Sequence, residues 1–299
     1  MAAPRASRRA VAKADAAPPR LDVRKTYKLY IGGQFPRSES GRSYPALGAD
    51  GEVLARVAQG SRKDLRDAVR VARGAFESWA GRTGYNRGQI IYRIAETLED
   101  RAGTFVEQLM ETGSTKKQAS DEVDASVDRL VWYAGWADKF AQIFGNINPV
   151  SGPFFNISSP EPTGVVGVIA PEEPGLLGLV SRLAPVIVPG NTAVVLASES
   201  MPMPAITFTE VLDTSDVPGG VVNVLTGFKD ELIPWLADHM DVNAVDAGGA
   251  TVEQVVRVQE GAVHNVKRVV VPEANGPGQS PYRIASFTET KTVWHPKGL

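Results

Sequence analysis

Five short runs of β-branched and apolar residues, spaced widely enough to hold a helix between each pair, constrain this chain's fold more than any other feature. They are Gly164 to Ala170, Thr192 to Leu196, Val221 to Leu225, Val242 to Val245 and Val266 to Val271. Each is apolar on both faces, and such strands alternating with helices belong to a parallel sheet covered on two sides. The fold class expected is α/β, a Rossmann-like doubly wound parallel sheet. A sheet of this kind binds ligands at the carboxyl ends of its strands. The loops in which to seek chemistry are therefore Pro171–Gly175, Ala197–Ser200, Thr226–Lys229 and Asp246–Ala250.

The segment before the sheet reads as helices. Ser61 followed by Asp64 is a capping-box-like start, and Leu65, Val69, Ala72 and Phe76 then form one apolar stripe to about Ala80. Ile90, Ile91, Ile94 and Leu98 form a second stripe, and Phe105 and Leu109 begin a third. A long amphipathic helix is expected from about Asp121 through Trp132 and Trp136 to Phe144, with Gly145 as its C-cap. Ahead of these, Leu29 to Phe35 looks like a short strand with a Gly-Gly turn. Asn146 to Glu161, with Phe154 and Phe155 inside it, reads as a β-hairpin leaving the main body.

Composition removes several function classes. A formal charge of −2 leaves no field to attract nucleic acid or an anionic membrane, and neither is an expected partner. No run approaches the ~20 apolar residues of a membrane span. With no cysteine among 299 residues, disulfides, thiolate metal sites and cysteine nucleophiles cannot come from this sequence. His239, His264 and His295 stand far apart in sequence, so no metal is assigned. The Ala-, Pro- and Arg-rich start reads as a disordered basic leader, and a cytoplasmic location is expected.

Three stretches carry a family resemblance: Gly167-Val-Ile-Ala-Pro171, Leu183 to Leu196, and Val217 to Gly227. In order and spacing they closely resemble the cofactor domain of aldehyde dehydrogenases, as do Tyr30 to Gln34 and the "YAGWADK" of Tyr133 to Lys139. The resemblance implies a division into a leader (1–25), an N-terminal helical part (26–145), an oligomerisation hairpin (146–163), the Rossmann-like part (164–283) and a C-terminal oligomerisation strand (284–299).

The resemblance also implies that the chemistry is altered. The family's Pro-Trp-Asn loop, whose Asn donates to the oxyanion, is matched by Pro171, Glu172 and Glu173. A carboxylate there would repel an oxyanion, and loss of one such donor costs about 10²–10³ in rate. The two glutamates then read either as solvated carboxylates on a relic loop or as a recruited acid–base pair. Ala197 stands where the family has the lysine that bonds the adenosine ribose. Asp246-Ala247-Gly248-Gly249-Ala250 replaces a Phe-Thr-Gly-Ser turn, keeping its glycines but adding a charge unfavourable to pyrophosphate. Glu273 looks like the descendant of the family's general base, with no thioester to hydrolyse. Ala170, Pro171, Glu172, Ala197, Gly227, Gly248 and Gly249 thus form a degenerate cofactor set, at which NAD(P) is expected to bind weakly or not at all.

From Ser280-Pro-Tyr-Arg283 the sequence passes directly to Ser286–Trp294, which resembles the family's C-terminal strand, so the catalytic domain is expected to be missing. In the family that strand and the hairpin form an oligomerisation sheet, which makes Phe154, Phe155, Phe287, Val293 and Trp294 the expected interface. The reading that follows is a non-catalytic subunit docking on a complete aldehyde dehydrogenase, or on itself, as scaffold or regulator. A dinucleotide or small-ligand sensor, and aldehyde oxidation exerted only within a complex, are the alternatives.

Overall fold

A computed structural model describes residues 23–271 and 278–298. Strands β1 (Thr26–Tyr27), β2 (Ser43–Leu47) and β3 (Val53–Ala58) form a small sheet in the order β1-β3-β2, which hydrophobic periodicity had not revealed. Four helices follow: α1 (Arg62–Ala80), α2 (Gly84–Asp100), α3 (Ala102–Glu111) and α4 (Lys116–Ala134). Ser61 and Asp64 make a reciprocal capping box on α1, and Thr115 and Gln118 make one on α4.

The expected helix from Asp121 to Phe144 is two helices. The chain turns at Gly135 and resumes as α5 (Phe140–Phe144). The corner packs directly on α2, where a Cβ on Gly84 would lie 2.4 Å from the Ala137 carbonyl oxygen. A continuous apolar stripe gives no sign of such a corner. The Leu29–Phe35 segment is likewise less than a strand. Tyr30 bridges Val224 and Ile31 bridges Gln34, with Gly32 and Gly33 at positive φ in the turn between.

Next come β4 (Asn146–Asn148) and β5 (Phe154–Pro162), an antiparallel pair. The central sheet alternates β6 (Val165–Ile169), α6 (Gly175–Ile187), β7 (Thr192–Leu196), α7 (Pro202–Asp213), β8 (Val222–Leu225), α8 (Lys229–Asp238), β9 (Ala244–Asp246), α9 (Val252–Ala262) and β10 (Arg268–Val270). All its pairings are parallel and the order is β10-β9-β6-β7-β8, so the doubly wound sheet is as expected. Alternate residues feed two cores: Val166, Val168, Ala193 and Val195 pack with residues of α2, α3, α6 and α7. Val165, Ile169, Val194 and Leu196 pack with α1, α8 and α9. Helix α10 (Pro281–Ala285) then leads to β11 (Thr288–Pro296), which pairs antiparallel with β5 along its whole length.

Candidate functional site

Chain order reverses at β6: β7 and β8 lie on one side, β9 and β10 on the other. That reversal is where a doubly wound sheet opens its ligand crevice. Here a lysine bridges its floor. Lys229, the first residue of α8, sends its Nζ to the Ala170 carbonyl (2.6 Å), the Gly249 carbonyl (3.4 Å) and Glu172 Oε1, tying together the exits of β6 and β9. Its side chain is 4% exposed, against 43% for its carboxylate partner.

Glu172 is partly solvated, as one sequence reading had it, but it is also firmly bonded within the chain. Its Oε2 accepts from Ser198 Oγ, the Glu199 and Ser200 amides and Ser200 Oγ, all at 2.8–3.0 Å. Burial alone would raise its carboxyl, but the Lys229 ammonium and the Ser200 and Ser198 donors outweigh that and hold it below the usual carboxylate range. Glu173 makes no such set of bonds and lines the clefts on both sides of the loop. The two glutamates thus stand in different surroundings, Glu172 bonded to Lys229 and Glu173 exposed.

Helix N-termini at this edge are the natural anion sites of such a fold. At α6, α8 and α9 the chain's own side chains already accept from these amides. At α6 the Leu176 and Leu177 amides donate to Glu122 Oε1 at 2.8 and 3.1 Å, and the turn opening α7 donates from Met201 N to Ser198 Oγ at 2.9 Å. At α8 the Lys229 amide donates to Glu199 Oε1 at 2.5 Å, and α9 carries its own Thr251–Gln254 capping box. Above the bridge remains an open cleft of ≈ 790 Å³, walled by Tyr44, Met201, Phe228 and Thr251.

The remaining degenerate-set residues serve the same closure. A Cβ on Gly249 would lie 2.2 Å from Ala170 C and O, and Gly249 N donates to the Ile169 carbonyl at 2.9 Å. Glycine is needed there for the loop's approach to the chain's own backbone. Gly248 lies against the Arg182 guanidinium and donates to Asp246 Oδ1 at 2.8 Å. Asp246 is buried, and burial pushes its carboxyl up against the opposing charge of Arg182. Ala197 is buried, its amide on the Leu225 carbonyl, Pro171 packs beneath Gly178, and Gly227 packs on Gly60. Glu273 lies outside the described residues. Among those described, no group of His, Cys, Asp and Glu could hold a metal ion, and no helix is long and apolar enough to cross a membrane.

Sequence reasoning placed Glu199 and Lys229 in loops where chemistry was sought but gave them no role, and it missed Glu122. Lys229 left one signal: a cation at the first position of a helix, where the macrodipole disfavours it. Glu122 left none, because it caps α6 from α4 at a separation of 54 residues.

The second feature is the three-stranded sheet β11-β5-β4. Ile147, Ile157 and Val293 stand directly opposite one another across its strands, so they share a face, joined by Phe155 two residues along β5. They are 68%, 44% and 48% exposed. Phe154 and Trp294 meet at 5.9 Å on the other face, and both are also exposed. Phe287 does not belong with them. It is 1% exposed in the main core, and its carbonyl accepts from Asn191 Nδ2 and Thr163 N. It precedes the first residue of β11 and anchors the strand instead of facing outward.

The aldehyde dehydrogenase family model matches residues 38–292. The mitochondrial aldehyde dehydrogenase of Rattus norvegicus is 31% identical over 267 residues, covering 87% of this chain and 50% of that protein. Omega-crystallin of Nototodarus sloanii is 30% identical over 249 residues, covering 82% and 50%. Among solved structures, the NAD+ complex of the Bacillus cereus aldehyde dehydrogenase superposes with a TM-score of 0.77 at 27% identity, covering 83% of this chain and 50% of that one. The chain spans about half the length of the relatives it matches.

Proposed function

The chain belongs to the aldehyde dehydrogenase family, and from that premise we propose that it is a non-catalytic member that docks on a complete, cysteine-bearing aldehyde dehydrogenase as scaffold or regulator. The observation carrying this reading is the exposed apolar row Ile147–Ile157–Val293, held in register on a sheet whose strand β11 is exposed along almost its whole length. An exposed apolar face bordered by an unpaired strand edge is a pairing liability unless another chain covers it. The exposed Val252 and Val256, one turn apart on α9, add a second apolar contact.

Two features support a role without chemistry. The 299 residues contain no thiol nucleophile. The crevice where a dinucleotide would lie is crossed by Lys229, and its helix N-termini are taken by Glu122, Glu199 and the Thr251 box. A sensor that reads NAD(P) in that crevice would first have to break these contacts.

The test is isolation of the tagged full chain from its native host, with native mass and mass-spectrometric identification. An aldehyde dehydrogenase carrying a catalytic cysteine, in fixed ratio and lost on Ile157→Ser/Val293→Ser, is the expected result. A monomer, or a homomer without such a partner, would overturn the reading.

A further inference from the structure

The open cleft of ≈ 790 Å³ above the Lys229 bridge holds polar and aromatic groups that the bridge does not use. Tyr44 and Phe228 stand together on its wall, their ring centroids 5.4 Å apart. Tyr44 is 7% exposed, and its hydroxyl is buried without a hydrogen-bond partner. Burial, and then the charges of Glu199 and Glu172, push this phenol up, so it keeps its proton. The Gly227 amide opposes that shift without forming a bond to the hydroxyl. Because both carboxylates act on it, the hydroxyl lies on the acidic side of the cleft.

A buried hydroxyl left without a partner is uncommon and costs free energy. The charges around it are of one sign. Among the described residues of the lining, Glu172, Glu173 and Glu199 are acidic and Lys229 alone is basic. Lys229 is already committed to Ala170 and Glu172. Glu199 gives Oε1 to the Lys229 amide, which leaves Oε2, and Glu173 is exposed. Beside these carboxylates the wall is aromatic and apolar, with the Met201 thioether next to the two rings.

We infer that this cleft binds a primary organic ammonium carrying an apolar chain, its N–H groups donating to the Tyr44 oxygen and the Glu199 carboxylate and its charge resting against the Tyr44 and Phe228 rings. Charge-assisted hydrogen bonds are the stronger kind, and an aromatic face attracts a cation. The acidic balance of the lining opposes an anionic ligand such as a dinucleotide. The site is independent of the docking reading, because it uses none of the residues of the β11-β5-β4 sheet.

Calorimetric titration of the full chain at pH 7 with hexylammonium, 1-hexanol and tetramethylammonium tests the assignment. Saturable hexylammonium binding is expected, weakened by added salt. It should be about tenfold weaker in Tyr44→Phe and in Glu199→Gln, and about threefold weaker in Phe228→Leu. Tyr44→Phe removes only the hydroxyl, and Glu199→Gln keeps an acceptor for the Lys229 amide, so both variants should fold. Absence of saturable binding would overturn the proposal, as would unchanged affinity in either of those two variants. Equal binding of 1-hexanol would reduce the site to an apolar pocket, and equal binding of tetramethylammonium would overturn recognition through N–H groups. A lysine side chain presents the same head group, so Nα-acetyl-lysine methylamide separates the sources: tighter binding than hexylammonium assigns the ammonium to a peptide, weaker binding to a free amine.

Discussion

Lys229 and Glu172 form an ion pair across the carboxyl edge of the sheet, its ammonium 4% exposed and its carboxylate 43%. The asymmetry decides which partner matters more. Removing the carboxylate leaves a buried ammonium with only carbonyl partners. Removing the ammonium leaves a half-exposed carboxylate that keeps its Ser198, Glu199 and Ser200 donors. Glu172→Gln should cost about 1–3 kcal/mol, less than the ~3–5 of a fully buried pair because Glu172 is partly solvated. Lys229→Met should cost less than Glu172→Gln, and urea unfolding at pH 7 reads both. The reverse order would show that the pair is not organised as described.

The same pair sets a pH dependence. Glu172's carboxyl lies below its ordinary value in the folded protein, so its ionised form stabilises the fold above the ordinary carboxylate range. That contribution is lost as pH falls through the lower folded value. Wild type and Glu172→Gln should therefore differ most above about pH 5 and converge in acid. A stability difference that persists unchanged in acid would assign the effect to packing.

NAD should meet a crevice whose floor the Lys229 bridge already ties up. At 1 mM NAD the melting temperature should rise by less than about 1 °C, since ligand stabilisation follows RT ln(1 + [L]/Kd). A rise of several degrees would mean that the Lys229 bridge yields readily to a dinucleotide.

Gly249 and Gly74 give an internal contrast. A Cβ on Gly249 meets Ala170 C and O at 2.2 Å, whereas a Cβ on Gly74, exposed in the middle of α1, meets nothing within 4 Å. Gly249→Ala should destabilise by about 1–3 kcal/mol or more through backbone collision. Gly74→Ala should stabilise by about 0.5–1 kcal/mol through helix propensity. Equal effects in thermal unfolding would contradict the close packing of the Gly249 loop.

What sequence made legible here was periodic or local. The two-sided apolar runs gave β6 to β10 and hence the sheet, and the Ser61–Asp64 spacing gave the start of α1. The glutamate loop was found because it sits where such a sheet places its ligands. What stayed hidden depends on residues brought together only by folding. Lys229 reaches Ala170 across 59 positions and Glu122 reaches Leu176 across 54, and no local pattern marks either contact. The corner at Gly135 and the inward turn of Phe287 were missed for the same reason. An alternating pattern places a residue on a face but cannot say where the strand leaves the core.

The exposed face of the β11-β5-β4 sheet tests that last distinction. Ile157 and Val293 are half-exposed and opposed in register, whereas Phe287, six residues before Val293, is buried in the core with its carbonyl bonded to Asn191 and Thr163. Ile157→Ser/Val293→Ser should leave the melting temperature nearly unchanged while weakening association by about 2 kcal/mol or more, roughly thirtyfold, if the row is the centre of an interface. Phe287→Ala should do the opposite, costing about 3–5 kcal/mol of folding stability through cavity formation. A truncation that removes the strand must therefore begin after Phe287, or lost association would be confounded with a damaged core. Analytical ultracentrifugation beside thermal melting separates the two effects. If the serine pair leaves the assembly intact, partners reach this chain by another surface, and the exposed valines of α9 become the next place to substitute.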